Sequence, residues 1–105
     1  MAKKHDEVMA MTDVELRFKA SELMGITDGA IPDYPNDIAA AFALVDKLIE
    51  IDLDVEFSIM HDTLREVGPW HIDGWMPTLD ISFRASAETI GRAITRAFIL
   101  AMDGS

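Results

Sequence analysis

The chain has no cysteine among its 105 residues. That excludes a disulfide scaffold, a cysteine-based zinc site and a thiol nucleophile. Positive charge is scarce as well. Nine Lys and Arg stand against nineteen Asp and Glu, a net charge of −10. A surface so negative repels phosphate backbones and anionic lipid, so no direct nucleic-acid or membrane partner is expected. No apolar run approaches the ~20 residues that a membrane-spanning helix needs. Lys3-Lys4 has no apolar stretch behind it, unlike a signal peptide. The protein is expected to stay in the cytoplasm where it is made. There is no glycine-rich phosphate loop, no Gly-x-Ser-x-Gly elbow and no dinucleotide fingerprint, so no cofactor is expected.

What the chain does have is apolar content. Half of its residues are hydrophobic, too many for a disordered acidic tail. Its length suits one domain. Residues 1–11 read as a flexible, charged lead-in, and 12–105 as a single α+β domain.

The first helix signal is Thr12 with Glu15 three residues on, the spacing of a capping box, with Met11 and Leu16 placed as a hydrophobic staple. That helix runs from about Asp13 to Met24, and Gly25 offers the left-handed position that ends it. Gly25, Gly29, Pro32 and Pro35 then make a loop that carries Tyr34. Asn36 or Asp37 caps a second helix. Its apolar residues Ile38, Ala41, Phe42, Val45, Leu48 and Ile49 recur at helical spacing, as one buried stripe.

The period then changes to two. Leu53, Val55, Phe57 and Ile59 alternate with Asp54, Glu56, Ser58 and Met60. Leu79, Ile81 and Phe83 alternate with Asp80, Ser82 and Arg84. Both read as half-buried strands of an antiparallel sheet with one wet face. Trp70-His71-Ile72 reads as a short strand between them, with Asp73-Gly74 as a turn. A last helix opens at Ser86. Its stripe is Ala87, Ile90, Gly91, Ile94, Ala97, Phe98 and Ala101, with Arg92 and Arg96 outward. Gly91 on that stripe implies a neighbour too close for a methyl group. The order is α-α-β-(β)-β-α, a small antiparallel sheet packed with three helices.

Three short motifs occur in order: Leu23-Met24-Gly25, Pro32-Asp33-Tyr34 and Asp37-Ile38-Ala39-Ala40-Ala41. With Gly91-Arg92-Ala93-Ile94-Thr95-Arg96-Ala97 in the last helix, they resemble the phage ABA sandwich domain of small phage and prophage proteins. The resemblance covers about residues 13–102. It implies a phage or prophage origin and a layered α/β sandwich with a helix on each sheet face. It carries over no catalytic residue.

Two surfaces are candidates for chemistry. His61-Asp62 and His71-Ile72-Asp73 would put two imidazoles and two carboxylates together if their strands pair, a weak metal candidate. No metalloenzyme spacing such as His-Glu-x-x-His supports it. The stronger candidate is a partner-binding surface. Trp70, His71, Asp73 and Trp75 sit between Gly68-Pro69 and Pro77, and Trp is enriched at interface centres. One Trp is expected mainly buried and the other partly exposed. Asp54, Glu56 and Asp80 are expected to share the wet sheet face, and Met60 among them hints that something covers part of it.

The expected function is that of a non-enzymatic phage accessory protein that binds a host or phage protein. The first alternative is an acidic inhibitor that imitates nucleic-acid charge and blocks a host defence or DNA-binding protein. The second is a small metal-dependent enzyme that uses His61 and His71. A sheet this small also invites edge pairing between two copies, and so a homodimer.

Overall fold

A computed structural model describes residues 2–26, 29–64 and 68–103. Among them are four helices and one three-stranded antiparallel sheet, in the order α1 (Ala2–Met9), α2 (Asp13–Leu23), α3 (Ile38–Ile51), β1 (Glu56–His61), β2 (Trp70–Met76), β3 (Ile81–Ala87) and α4 (Ile90–Asp103). The sheet runs β1-β2-β3. The small α+β architecture expected from the sequence is therefore the one observed.

The ends of α2 follow from local chemistry. Thr12 Oγ1 accepts from Glu15 N at 3.2 Å, and Thr12 N donates to Glu15 Oε1 at 2.9 Å. These reciprocal bonds satisfy two donors that a helix start leaves open. At the other end Gly25 has φ +81°. Gly25 N donates to Glu22 O, and Ile26 N donates to Ser21 O, the paired bonds of a Schellman motif. Asp37 caps α3 by accepting from the amides of Ala39 and Ala40.

Several sequence expectations are corrected. Residues 1–11 were expected as a lead-in, yet α1 occupies Ala2–Met9 and packs on α4. Its anchor is Val8, which is fully buried. One buried anchor residue leaves no apolar period in the sequence. Asp73-Gly74 is not a turn but lies inside β2, with Gly74 opposite Phe57 and Phe83. Glycine is needed there because a Cβ would collide with the Phe83 ring. The cap of α4 moves from Ser86, which pairs with His71 in the sheet, to Thr89, whose Oγ1 accepts from Arg92 N. On α3 the buried line is Ala41, Leu44 and Leu48, while Ile38, Phe42 and Ile49 face outward. The α3 stripe is thus rotated from its expected place.

Helix α4 is the centre of the molecule. It packs on β2 and β3 on one side and on α1, α2 and α3 on the others. Gly91, Ala93, Ile94, Thr95 and 97–101 are all buried. Fully burying Phe98, Ile94 and Ile99 contributes about 1.5–3 kcal/mol each. Arg92 and Arg96 are not outward. Arg92 forms a two-bond fork with Asp13 at 2.8 and 2.9 Å, tying α2 to α4. The hydrogen bonds from Arg92 hold the Asp13 carboxyl below its ordinary range, against a weaker upward push from burial. Arg96 Nη1 donates to Ser86 O at 2.8 Å. Because α4 packs on one side of the sheet only, the helices that cover α4 leave the opposite sheet face open.

Candidate functional site

The register sorts the strand residues into two faces. Phe57 and Ile59 of β1, Ile72, Gly74 and Met76 of β2, and Phe83, Ala85 and Ala87 of β3 line the core side. The other side carries three rows: Glu56, Ser58 and Met60 on β1; Trp75, Asp73 and His71 on β2; Ser82, Arg84 and Ser86 on β3. Glu56, Ser58, Met60, Ser82 and Arg84 are exposed, and the central His71, Asp73 and Trp75 are half-buried. This is the wet face that the alternation implied, and not the helix-covered second face that the sandwich resemblance implied.

A depression of about 500 Å³ opens on this face. Its walls include Glu56, Ser58, Asp73, Trp75, Ser82 and Arg84. Trp75 stands on the central strand, with Glu56 across one strand boundary and Ser82 across the other. Next along the strand, Asp73 is paired with Arg84, Nε to Oδ1 at 2.6 Å. That pair cancels its own charge. The Glu56 carboxylate makes no hydrogen bond or ion pair with any described residue, so the depression keeps one uncompensated carboxylate beside the indole.

The end of the sheet next to Trp75 is held by a residue that sequence reasoning missed. Asp52 is 3% exposed. Its carboxylate accepts from Asp54 N at 3.0 Å, Thr78 N at 2.9 Å and Thr78 Oγ1 at 3.0 Å. Burial pushes this carboxyl up, but the donated hydrogen bonds outweigh it, so the net direction is down. These bonds fix the turn before β1 to the hairpin between β2 and β3. Asp52 looks like one more surface acid in a chain with nineteen acidic residues. Only its position just after the helix, where Asx turns form, could have flagged it.

The expected site residues divide as follows. Met60, Glu56, His71, Asp73 and Trp75 share the open face. Asp54 and Asp80 do not lie in the paired strands. Asp54 is in the turn before β1, and Asp80 is in the β2–β3 hairpin with φ +55°. Both therefore sit at the Trp75 end of the sheet, as a rim. Trp70 is turned to the core side, where its ring meets His61 edge-on with centroids 4.6 Å apart. The two tryptophans are both half-buried, on opposite faces, so one is partly exposed as expected but neither is mainly buried.

The histidines do not converge. His61 pairs with Trp70, and Met60 pairs with His71, so one ring lies on the core side and the other on the open side. Side chains on a strand alternate faces, and the register puts an odd step between the two. Asp62 is used in its own turn, accepting from Leu64 N. Asp73 is committed to Arg84. Among the described residues, no three His, Cys, Asp or Glu side chains lie close enough to hold a metal ion.

A second, smaller hollow of about 300 Å³ lies near the start of α4, between Met9, Gly68, Glu88, Arg92 and Arg96. Its charges are answered from within. Glu88 accepts from Gly68 N, and Arg92 is held by Asp13. Burial, with Arg92 nearby, pushes the Arg96 guanidinium down. No helix among the described residues is long and apolar enough to cross a membrane. No family model, curated protein or solved structure matches this chain.

Proposed function

We propose that this is a phage or prophage accessory domain that works by binding another protein, without catalysis, through the open face of its sheet. One observation carries the binding reading: the three strands leave a whole face uncovered, and that face has a half-buried Trp75 lining a depression among polar side chains. A large aromatic in a concavity ringed by polar groups is the arrangement of an interface anchor. A structural Trp would sit on the core side instead, as Trp70 does. The origin rests on the resemblance in residues 23–25, 32–34 and 37–41.

Site-specific cross-linking tests the binding reading. A photoreactive residue is placed at Ser82, on the rim of the depression, and separately at Glu50, on the far side of the core in α3. The expected result is one partner adduct from position 82 in host lysate, none from position 50, and loss of the adduct in a Trp75→Ala background. Equal yields from both positions, or an adduct that ignores Trp75, would sink the proposal.

A further inference from the structure

Resting on that reading of the open face, we infer that the depression around Trp75 takes a cationic side chain, the Lys or Arg of a basic segment in the partner protein. Two features of the site select this occupant. The first is Glu56, directly opposite Trp75 in the sheet and without an ion pair among the described residues. Any partner that covers the depression removes water from that carboxylate. An apolar or acidic partner would leave it buried and unpaired, which is strongly unfavourable. A guanidinium or ammonium group would answer it. The second feature is the indole itself. Trp is the best aromatic host for a cation, and Arg stacks flat upon it.

The surroundings favour the same sign. The Asp73–Arg84 pair is internally neutral, so it neither repels nor holds the incoming cation. Asp54 and Asp80 flank the end of the sheet where Glu56 and Trp75 pair. The net charge of −10 steers a basic partner inward from a distance. The steering is diffuse, whereas the seat between Trp75 and Glu56 is local, and this difference is what the experiment reads.

The full ¹⁵N-labelled chain is titrated with three peptides of equal length: Arg-Gly repeats, Glu-Gly repeats and Ser-Gly repeats. The expected result is saturable shifts of the Glu56, Ser58, Gly74, Trp75 and Ser82 amides with the Arg-Gly peptide alone. Trp75→Ala should weaken that binding about 3- to 30-fold, the span of cation–aromatic contacts from exposed to desolvated. Glu56→Gln should weaken it too and flatten its dependence on salt. If Trp75→Ala fails to fold, the exposed Glu56→Gln carries the test. Shifts spread evenly over the acidic surface, or binding indifferent to both substitutions, would overturn the inference. Saturable shifts on this face from the Ser-Gly or Glu-Gly peptide would overturn the cationic class and leave the face itself standing. A partner cross-linked from position 50 instead of 82 would remove the face reading, and this inference with it.

Discussion

Replacing Gly91 with alanine sets two well-defined effects against each other. Gly91 lies in the first turn of α4 and has no positive φ to require glycine. On helix propensity alone, alanine should stabilise the protein by roughly 0.8–1 kcal/mol. The packing argues the opposite. A Cβ built there comes within 2.6 Å of the Pro35 carbonyl oxygen and 3.2 Å of the Tyr34 carbonyl oxygen. Ordinary contacts begin at 3.4 Å, so the Pro35 carbonyl must retreat by the difference, about 0.8 Å. It is backbone, and it is not free to move. Tyr34 and Pro35 are buried. The segment before them is held by the Arg17 guanidinium on Ile31 O, and the segment after them by Asn36 N and Asp37 N on Asp33 O. Overpacking of this kind costs about 1–3 kcal/mol. The balance runs from near zero to a net loss of roughly 2 kcal/mol, or up to about 10–15 °C in Tm for a domain of this size. Thermal unfolding followed by far-ultraviolet circular dichroism measures it. A Gly91→Ala variant more stable than wild type would refute the packing of the 30–37 loop on α4.

Two further outcomes follow from the ion pair and the clamp. Asp13 is lowered in the fold, so its contribution is present above the unfolded value of about 3.9 and is lost as pH falls through the lowered folded value. Asp13→Asn should therefore cost about 1 kcal/mol at neutral pH after solvent screening, and urea unfolding should show the gap to wild type closing as pH drops below about 4. A gap that stays constant with pH would show that the Arg92 pairing contributes nothing. For Asp52, replacement by alanine strips the acceptor from Thr78 and Asp54. Exchange of the Thr78 amide should speed up roughly tenfold, and unchanged exchange would mean the hairpin is held by other contacts.

The sequence is most legible where a structural cause is local. Both ends of α2 are written in Thr12, Glu15 and Gly25, because caps act within a few residues. The wet and dry sheet faces are written in the alternation of Phe57, Ile59 and Phe83 with their polar neighbours. The need for a small residue at Gly91 shows as a helix breaker placed on an apolar stripe. Misreadings cluster where a distant residue decides. Helix α1 depends on Val8 reaching α4. Asp73-Gly74 has the composition of a turn, and only the Phe83 ring across the sheet explains a glycine inside a strand. Arg92 and Arg96 look like a solvent-facing pair until Asp13 arrives from 79 residues away. The candidate site shows the same division. Glu56 and Met60 are recognisable as sharing a face by parity, whereas the placing of Asp73 and Trp75 beside them, and the separation of Trp70 from Trp75 and of His61 from His71, needs the register.

The central claim is that the uncovered sheet face, with Trp75 on its central strand, is where this protein meets its partner. The most direct measurement is partner capture by a Trp75→Ala variant whose fold has been verified by its circular dichroism spectrum. The side chain stands on the open face, outside the core, so the variant should stay folded and lose the partner. A folded Trp75→Ala protein that captures the same partner at the wild-type level would contradict the claim.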